Sequence, residues 1–207
     1  MKYVVISQKQ GKDKHGSDIN ILENNYIKIF TDLLNIPTIP IPNDLSSLKI
    51  IEGACGIILT GGGNIDKSQE KRNIIETKLI ECAINKNIPL FGICRGMQII
   101  AKYFGGDIYK ISGHSLKGKT HSVNIEFNNK KWKEYVNSYH DYAVTIKDTE
   151  LVPFAINDCI EGVYHPKFLI KGVQWHPERE LISTKISKLL LEQFKDAIYN
   201  TSCGEGK

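Results

Sequence analysis

The stretch PLFGICRGMQII, residues 89–100, places Cys94 between Gly92 and Gly96 at the point where an apolar run gives way to a helical pattern. IPLFGI (88–93) is continuously apolar, as a strand buried on both faces must be, and RGMQIIAKYFGG (95–106) reads as a short helix ended by glycines. A cysteine at such a junction can be a small core residue, a metal ligand, half of a disulfide or a nucleophile. The rest of the chain discriminates among these roles.

Working outward, strand and helix patterns alternate. YVVIS (3–7) reads as a buried strand, and SDINILENNYIKIFTDLLN (17–35) sets Ile19, Leu22, Tyr26, Ile29, Phe30 and Leu33 at the spacing of one helical face. IPTIPIP (36–42) carries three prolines, which force extended geometry and suit a sheet edge. GACGIILTGGG (53–63) is an apolar run stopped by glycines, and SQEKRNIIETKLIECAINKN (68–87) is a helix with Ile74, Ile75, Leu79, Ala83 and Ile84 inward. This alternation predicts an α/β fold: an open, mostly parallel sheet with helices on both faces. From Gly106 to Val173 the pattern changes to short β-prone segments (GDIYKI, HSVNIEF, YAVTI, LVPFAIN, EGVYH, FLIKGVQW) separated by polar turns, which predicts antiparallel additions in the second half. A last helix is expected from about Glu180 to Tyr199. No linker divides the chain, so the expectation is one catalytic domain over residues 1–200 and a disordered tail over 201–207.

Composition narrows the function classes. A chain of 207 residues with 41% hydrophobic content suits one compact domain, and a domain of this size buries about 70% of its unfolded surface. MKYVVISQ lacks the features of a signal peptide, and no apolar stretch reaches membrane-span length. The five cysteines (Cys55, Cys82, Cys94, Cys159, Cys203) are odd in number and lack C-x-x-C spacing, so a reduced, cytoplasmic protein is expected, with Cys55 and Cys82 as inert core thiols. The net charge of +4 comes from dispersed lysines, which argues against nucleic-acid binding and leaves open a mild field favouring an anionic substrate. His114, His121, His140 and His165 do not form a metal quartet by spacing and read as loop or pocket residues, so neither metal nor organic cofactor is expected.

The chemistry centres on Cys94. G-x-nucleophile-x-G lets the chain leave a strand, turn sharply and enter a helix with the central side chain exposed at the tip. At a helix N-terminus the macrodipole and unpaired N–H groups favour thiolate. A thiol nucleophile needs a base and an orienter, and GVQWHPERE (172–180) supplies His176 directly after an apolar strand and Glu178 two residues later. LTGGGN (59–64) ends another strand in three glycines, where backbone N–H groups can meet an oxyanion; a second donor is the N–H of Arg95. The loop lacks the spacing of a phosphate-binding loop.

LTGGG, PLFGICRGMQII and GVQWHPE occur in that order, with GHSLKGKTHSV (113–123) and NSYHDYAV (137–144) between the last two, and together they resemble the class I glutamine amidotransferase family. The resemblance implies a triad of Cys94, His176 and Glu178, oxyanion donors at Gly61 and Arg95, and contacts to a glutamyl group at Gly63, Gln98, Tyr139, Asp141 and Tyr142. Arg95 departs from the leucine or other apolar residue of many ammonia-supplying members, and GICRG is more similar to the branch that hydrolyses γ-glutamyl conjugates. The implied reaction is hydrolysis of a γ-glutamyl amide through a cysteinyl thioester, on a small-molecule substrate. A synthase partner is possible but not favoured, and a non-catalytic sensor is disfavoured by the intact Cys, His and Glu set. Arg95, Lys117 and Lys119 suggest a rim for an anionic leaving group, either γ-aminobutyrate or a nucleotide such as the cytidine diphosphoramidate of capsule biosynthesis.

Overall fold

Short apolar runs bounded by glycine and proline form the middle of the sheet in the computed structural model, which describes residues 2–35, 37–115, 119–179 and 184–201. In chain order the elements are β1 (Val4–Ser7), β2 (Lys9–Lys12), β3 (Asp18–Ile21), α1 (Asn24–Leu34), β4 (Thr38–Ile41), β5 (Gly56–Leu59), α2 (Glu70–Lys86), β6 (Leu90–Ile93) and α3 (Arg95–Tyr103). There follow β7 (Asp107–Lys110), β8 (Thr120–Phe127), β9 (Lys130–Asn137), β10 (Tyr142–Thr145), β11 (Val152–Ile156), β12 (Ile160–Tyr164), β13 (Ile170–Val173) and α4 (Lys185–Asn200).

One nine-stranded sheet has the order β4-β1-β5-β6-β13-β12-β11-β8-β9. Neighbours run parallel from β4 to β13 and antiparallel from β13 to β9, so the antiparallel additions come from the second half of the chain as expected. The central strands β1, β5 and β6 are buried at every position because both faces are covered. Alternation sorts their side chains: Val4, Ile6 and Ile58 pack with Tyr26 and Phe30 of α1 and Leu190, Phe194 and Ile198 of α4. Val5, Ile57 and Leu59 pack with Ile75, Leu79 and Ala83 of α2 and Met97 and Ile100 of α3. Each buried valine, leucine, isoleucine, phenylalanine or methionine among them contributes about 1.5–3 kcal/mol.

Several expectations are corrected. The helix read from Ser17 begins only at Asn24, and Ile19 lies in a β2–β3 hairpin. The Asp13 carboxylate accepts N–H bonds from His15 and Ser17, both 2.8 Å, and Gly16 sits at φ +85°, so residues 13–17 form a tight turn and not a helical run. In α2, Ile74 faces solvent and Ile80 is buried instead. β9 is not evident from sequence, because KKWKEYVN is charged; Asn128 and Asn129, both left-handed at φ 51° and 60°, make the two-residue hairpin turn that pairs it with β8. β7 and β10 leave the main sheet and pair with each other. The expectation of Cys55 as a free core thiol is corrected, since it is disulfide-bonded. Residues 180–183, placed in the last helix from sequence, and 202–207 of the expected tail lie outside the described residues. Among the described residues no helix is long and apolar enough to cross a membrane.

Candidate active site

β6 and β13 lie side by side and parallel, with Ile93 opposite Val173, so the chain leaves both strands at the same edge of the sheet. Cys94 follows β6 at φ 52°, ψ −106°, donates its N–H to Val173 O at 2.7 Å, and hands the chain to α3. A positive φ on a residue with a Cβ costs about 1–3 kcal/mol and persists only where the surroundings enforce it. Here they do: a Cβ on Gly96 would lie 2.2 Å from Leu59 O, and one on Gly92 would lie 2.6 Å from Gly96 O. These glycines let strand, turn and helix pack closely enough to hold Sγ at the N-terminus of α3.

After β13 the chain carries Gln174, His176 and Glu178 past that sulfur. His176 Nδ1 and Glu178 Oε1 are 2.6 Å apart and both residues are buried. Asn137 clasps the His176 backbone, accepting its N–H and donating to its carbonyl, both at 2.8 Å. Gln174 Nε2 lies 3.6 Å from Cys94 Sγ. Burial alone would depress the His176 pKa, but the Cys94 sulfur and the Glu178 carboxylate outweigh it and raise it to about 10. The arrangement therefore favours an imidazolium beside the sulfur, with Nδ1–H donated to Glu178. Tyr139 sets its ring edge-on to His176 at 5.4 Å, and the Arg179 guanidinium covers Tyr139 at 4.3 Å while pairing with Glu23 at 3.0 Å.

Gly61 presents bare backbone to this pair, since a Cβ there would lie 2.7 Å from His176 Cε1. Its N–H donates to the Tyr26 hydroxyl at 2.9 Å, so the expected oxyanion donor is held by Tyr26. The loop is stiffened from behind. Arg72, fully buried, donates to the carbonyls of Thr60 (2.6 Å), Gly61 (3.2 Å) and Gly62 (2.6 Å) and to Glu76 Oε1 (2.8 Å). Glu76 also accepts from Ser7 Oγ at 2.7 Å and pairs with Arg95. Burial pushes the Glu76 carboxyl up, but the two guanidiniums and the Ser7 hydroxyl outweigh it and hold it below its ordinary value.

This corrects the reading of Arg95 as part of a leaving-group rim. Its guanidinium is buried and committed to Glu76, Asn73 and Asn64. Lys119 is exposed, and Lys117 lies outside the described residues. Gln98 and Tyr142, expected at the substrate, meet through a 3.1 Å bond from Gln98 Nε2 to Tyr142 O and line a cavity of about 280 Å³ that also includes Asn64, Asp66, Lys102 and Asp107. Tyr139 stands against His176, and Gly63 (φ +75°) packs on Gln69 in the glycine loop. Asp141 is exposed, and its carbonyl accepts from Ile111 N at 2.9 Å. Tyr26, Arg72, Glu76, Asn137 and Gln174 are site residues that sequence reasoning misses. Arg72 and Glu76 carry a usable signal, sharing the inward face of α2 with Ile75 and Leu79 at four-residue spacing.

Of the four histidines expected in loops or pockets and not as a quartet, three come together and His121 lies in β8. His114, His121 and His140 converge on Glu161, because β8, β12 and the segments before β10 and after β7 meet in space; His165 lies apart, 3.4 Å from Glu150.

Residues 21–196 match the family described as glutamine amidotransferase class-I. A γ-glutamyl-CDP-amidate hydrolase of Campylobacter jejuni is 34% identical over 131 residues, 60% of this chain and 62% of that protein, so less than two thirds of that relative's length is matched. A glutamine-hydrolyzing GMP synthase subunit of Methanopyrus kandleri is 27% identical over 173 residues, 80% of this chain and 86% of that one. In fold, a crystal structure of a candidate GMP synthase subunit from Thermoplasma acidophilum has a TM-score of 0.76 at 22% identity, covering 96% of this chain and 94% of that one. A glutamine amidotransferase structure from Thermotoga maritima has a TM-score of 0.63 at 18% identity, covering 96% and 91%.

Proposed function

The chain belongs to the class I glutamine amidotransferase family, and on that premise we propose that it is a self-sufficient cysteine hydrolase of a γ-glutamyl amide, with γ-glutamyl-CDP-amidate as its substrate. The observation that carries the reaction is the buried line of Cys94, His176 and Glu178 behind a bare glycine loop. In this reading the Cys94 thiolate attacks the δ-carbonyl of the glutamyl group, and the N–H groups of Gly61 and Arg95 receive the oxyanion, Gly61 turning from the Tyr26 hydroxyl to do so. His176 gives its proton to the departing nitrogen, leaving a γ-glutamyl thioester. Oriented by Glu178, the neutral imidazole then takes a proton from water, which attacks the thioester and releases glutamate. Gly63, Gln98, Tyr139, Asp141 and Tyr142 hold the glutamyl group.

The nucleotide leaving group rests on the Campylobacter jejuni relative alone. A second reading, ammonia supply from free glutamine to a synthase partner, is favoured by the relatives named as GMP synthase subunits, such as the Methanopyrus kandleri protein, which matches a larger share of the chain. Glutamate release by the purified protein from γ-glutamyl-CDP-amidate, γ-glutamyl-γ-aminobutyrate and glutamine decides between them. The proposal expects the nucleotide conjugate to be turned over fastest without a partner; turnover of glutamine alone, or none until a synthase is added, would sink it.

The protonation of His176 gives a second test. An acid needed to protonate the leaving nitrogen is lost as pH rises through its pKa, so acylation should decline through about 10. Glu178 raises that pKa, so Glu178→Gln should move the descending limb to lower pH as well as slow the reaction. Pre-steady-state thioester formation against pH reads both effects, and an unmoved limb would remove Glu178 from its orienting role.

A further inference from the structure

The histidine cluster that the reaction leaves unused has the composition and spacing of a metal site. Glu161 Oε1 lies 3.3 Å from His114 Nδ1, 3.4 Å from His121 Nε2, 3.3 Å from His140 Nε2 and 3.4 Å from Cys159 Sγ. With ligand bonds of about 2.0–2.1 Å to nitrogen or oxygen and about 2.3 Å to sulfur, the edges of a tetrahedron around zinc are about 3.3–3.5 Å. The ligand atoms of His114, His140, Cys159 and Glu161 all lie within 4.8 Å of one another, and all four residues are buried, none more than 5% exposed. His114 Nδ1, His121 Nε2, His140 Nε2 and Glu161 Oε2 are buried without a hydrogen-bond partner. Buried imidazole nitrogens gathered within 3.4 Å of one carboxylate oxygen and making no geometrically sound hydrogen bond are placed as metal ligands are.

We propose that His114, His140, Cys159 and Glu161 bind one zinc ion, with His121 beside it as an alternative ligand. The charges balance: a divalent ion, a thiolate, a carboxylate and two neutral imidazoles sum to zero, the thiol proton of Cys159 leaving to solvent on coordination. That neutrality suits a buried site better than a carboxylate among unpaired imidazoles. Sulfur with imidazole and carboxylate selects zinc over magnesium or calcium. Four protein ligands close the coordination sphere, so the ion is structural. It ties the start of β12 to the segment after β9, in which His140 stands between Tyr139 and Asp141. Through the 2.8 Å bond from Gln174 N to Glu161 O it also braces the strand end that leads to His176.

The test is direct. The full chain, purified without a histidine tag, should carry about one zinc per chain by plasma mass spectrometry. After chelator stripping and loading with cobalt(II), it should show tetrahedral visible bands and a near-ultraviolet thiolate-to-cobalt band. Cys159→Ser should lose the thiolate band and keep visible bands, while Cys94→Ser should keep both. Wild-type protein that retains well under one zinc after incubation with excess metal and desalting would overturn the proposal without recourse to a variant. So would a thiolate band that survives Cys159→Ser and disappears in Cys94→Ser, which would put the ion on the sulfur beside His176.

Discussion

Cys94→Ser is expected to lower glutamate release by at least about 10⁴-fold while the protein remains folded, because removing the nucleophile of a triad costs nearly as much as removing the whole triad. Serine is close to isosteric and can adopt the same strained turn, so Gly92, Gly96 and the Val173 carbonyl keep their packing. What changes is the group beside His176. The sulfur is the foremost influence that raises the His176 pKa against burial, and a neutral hydroxyl cannot replace it, so the His176 pKa should fall from about 10 and the imidazole should hold its proton less tightly. Two measurements separate chemistry from folding: single-turnover glutamate release, and thermal unfolding of the variant beside wild type. The expected result is a melting temperature close to wild type with activity at the blank. Retention of more than a few per cent of activity would mean that another residue attacks the amide, and Cys94 would return to the status of a buried thiol in a tight turn.

The parts of this protein that are legible in its sequence are those whose physical cause is local. β1, β5 and β6 are continuous apolar runs because each is covered on both faces, and the runs name themselves. The Cys94 elbow and the His176–Glu178 pair are legible for the same reason, since each is confined to five residues or fewer at a strand end. What the sequence conceals depends on surface exposure or on distant pairing. The β2–β3 hairpin carries no burial contrast, so its isoleucine at position 19 can be counted toward a helix. β9 is half exposed and reads as a charged loop. Tyr26 belongs to the core by its ring, and its hydroxyl at Gly61 is set by where α1 crosses the sheet. The convergence of His114, His121 and His140 on Glu161 depends on strand pairings between residues up to 47 positions apart in sequence, which no spacing rule reaches. Arg95 shows the limit most plainly: its role in the helix-initiating turn is legible from its neighbours, whereas its buried partner lies 19 residues away on another helix.

That buried partner carries the largest expected effect on stability. Glu76→Ala removes the carboxylate between Arg72 and Arg95, leaving two guanidiniums, each no more than 1% exposed, with no ion-paired carboxylate among the described residues. Breaking a buried ion pair by deleting one partner costs about 3–5 kcal/mol, because the abandoned charge keeps its desolvation penalty. In a chain of this size each kcal/mol lowers the melting temperature by about 2–4 °C, so a fall of roughly 6–20 °C is expected. Glu76→Gln keeps the shape and the bond to Ser7 but not the charge, and should fall between. Since Arg72 also spans the Thr60, Gly61 and Gly62 carbonyls, both variants should lose activity at temperatures where they remain folded. The pH dependence fixes the sign independently. A carboxyl held below its ordinary value of 4.5 contributes stability that is present above that value and lost as pH falls through the folded value. Wild-type stability should therefore decline with acidification below about 4.5, and Glu76→Gln should flatten that decline. A Glu76→Ala melting temperature indistinguishable from wild type would show that water reaches the two guanidiniums and that the glycine loop is held by its own backbone.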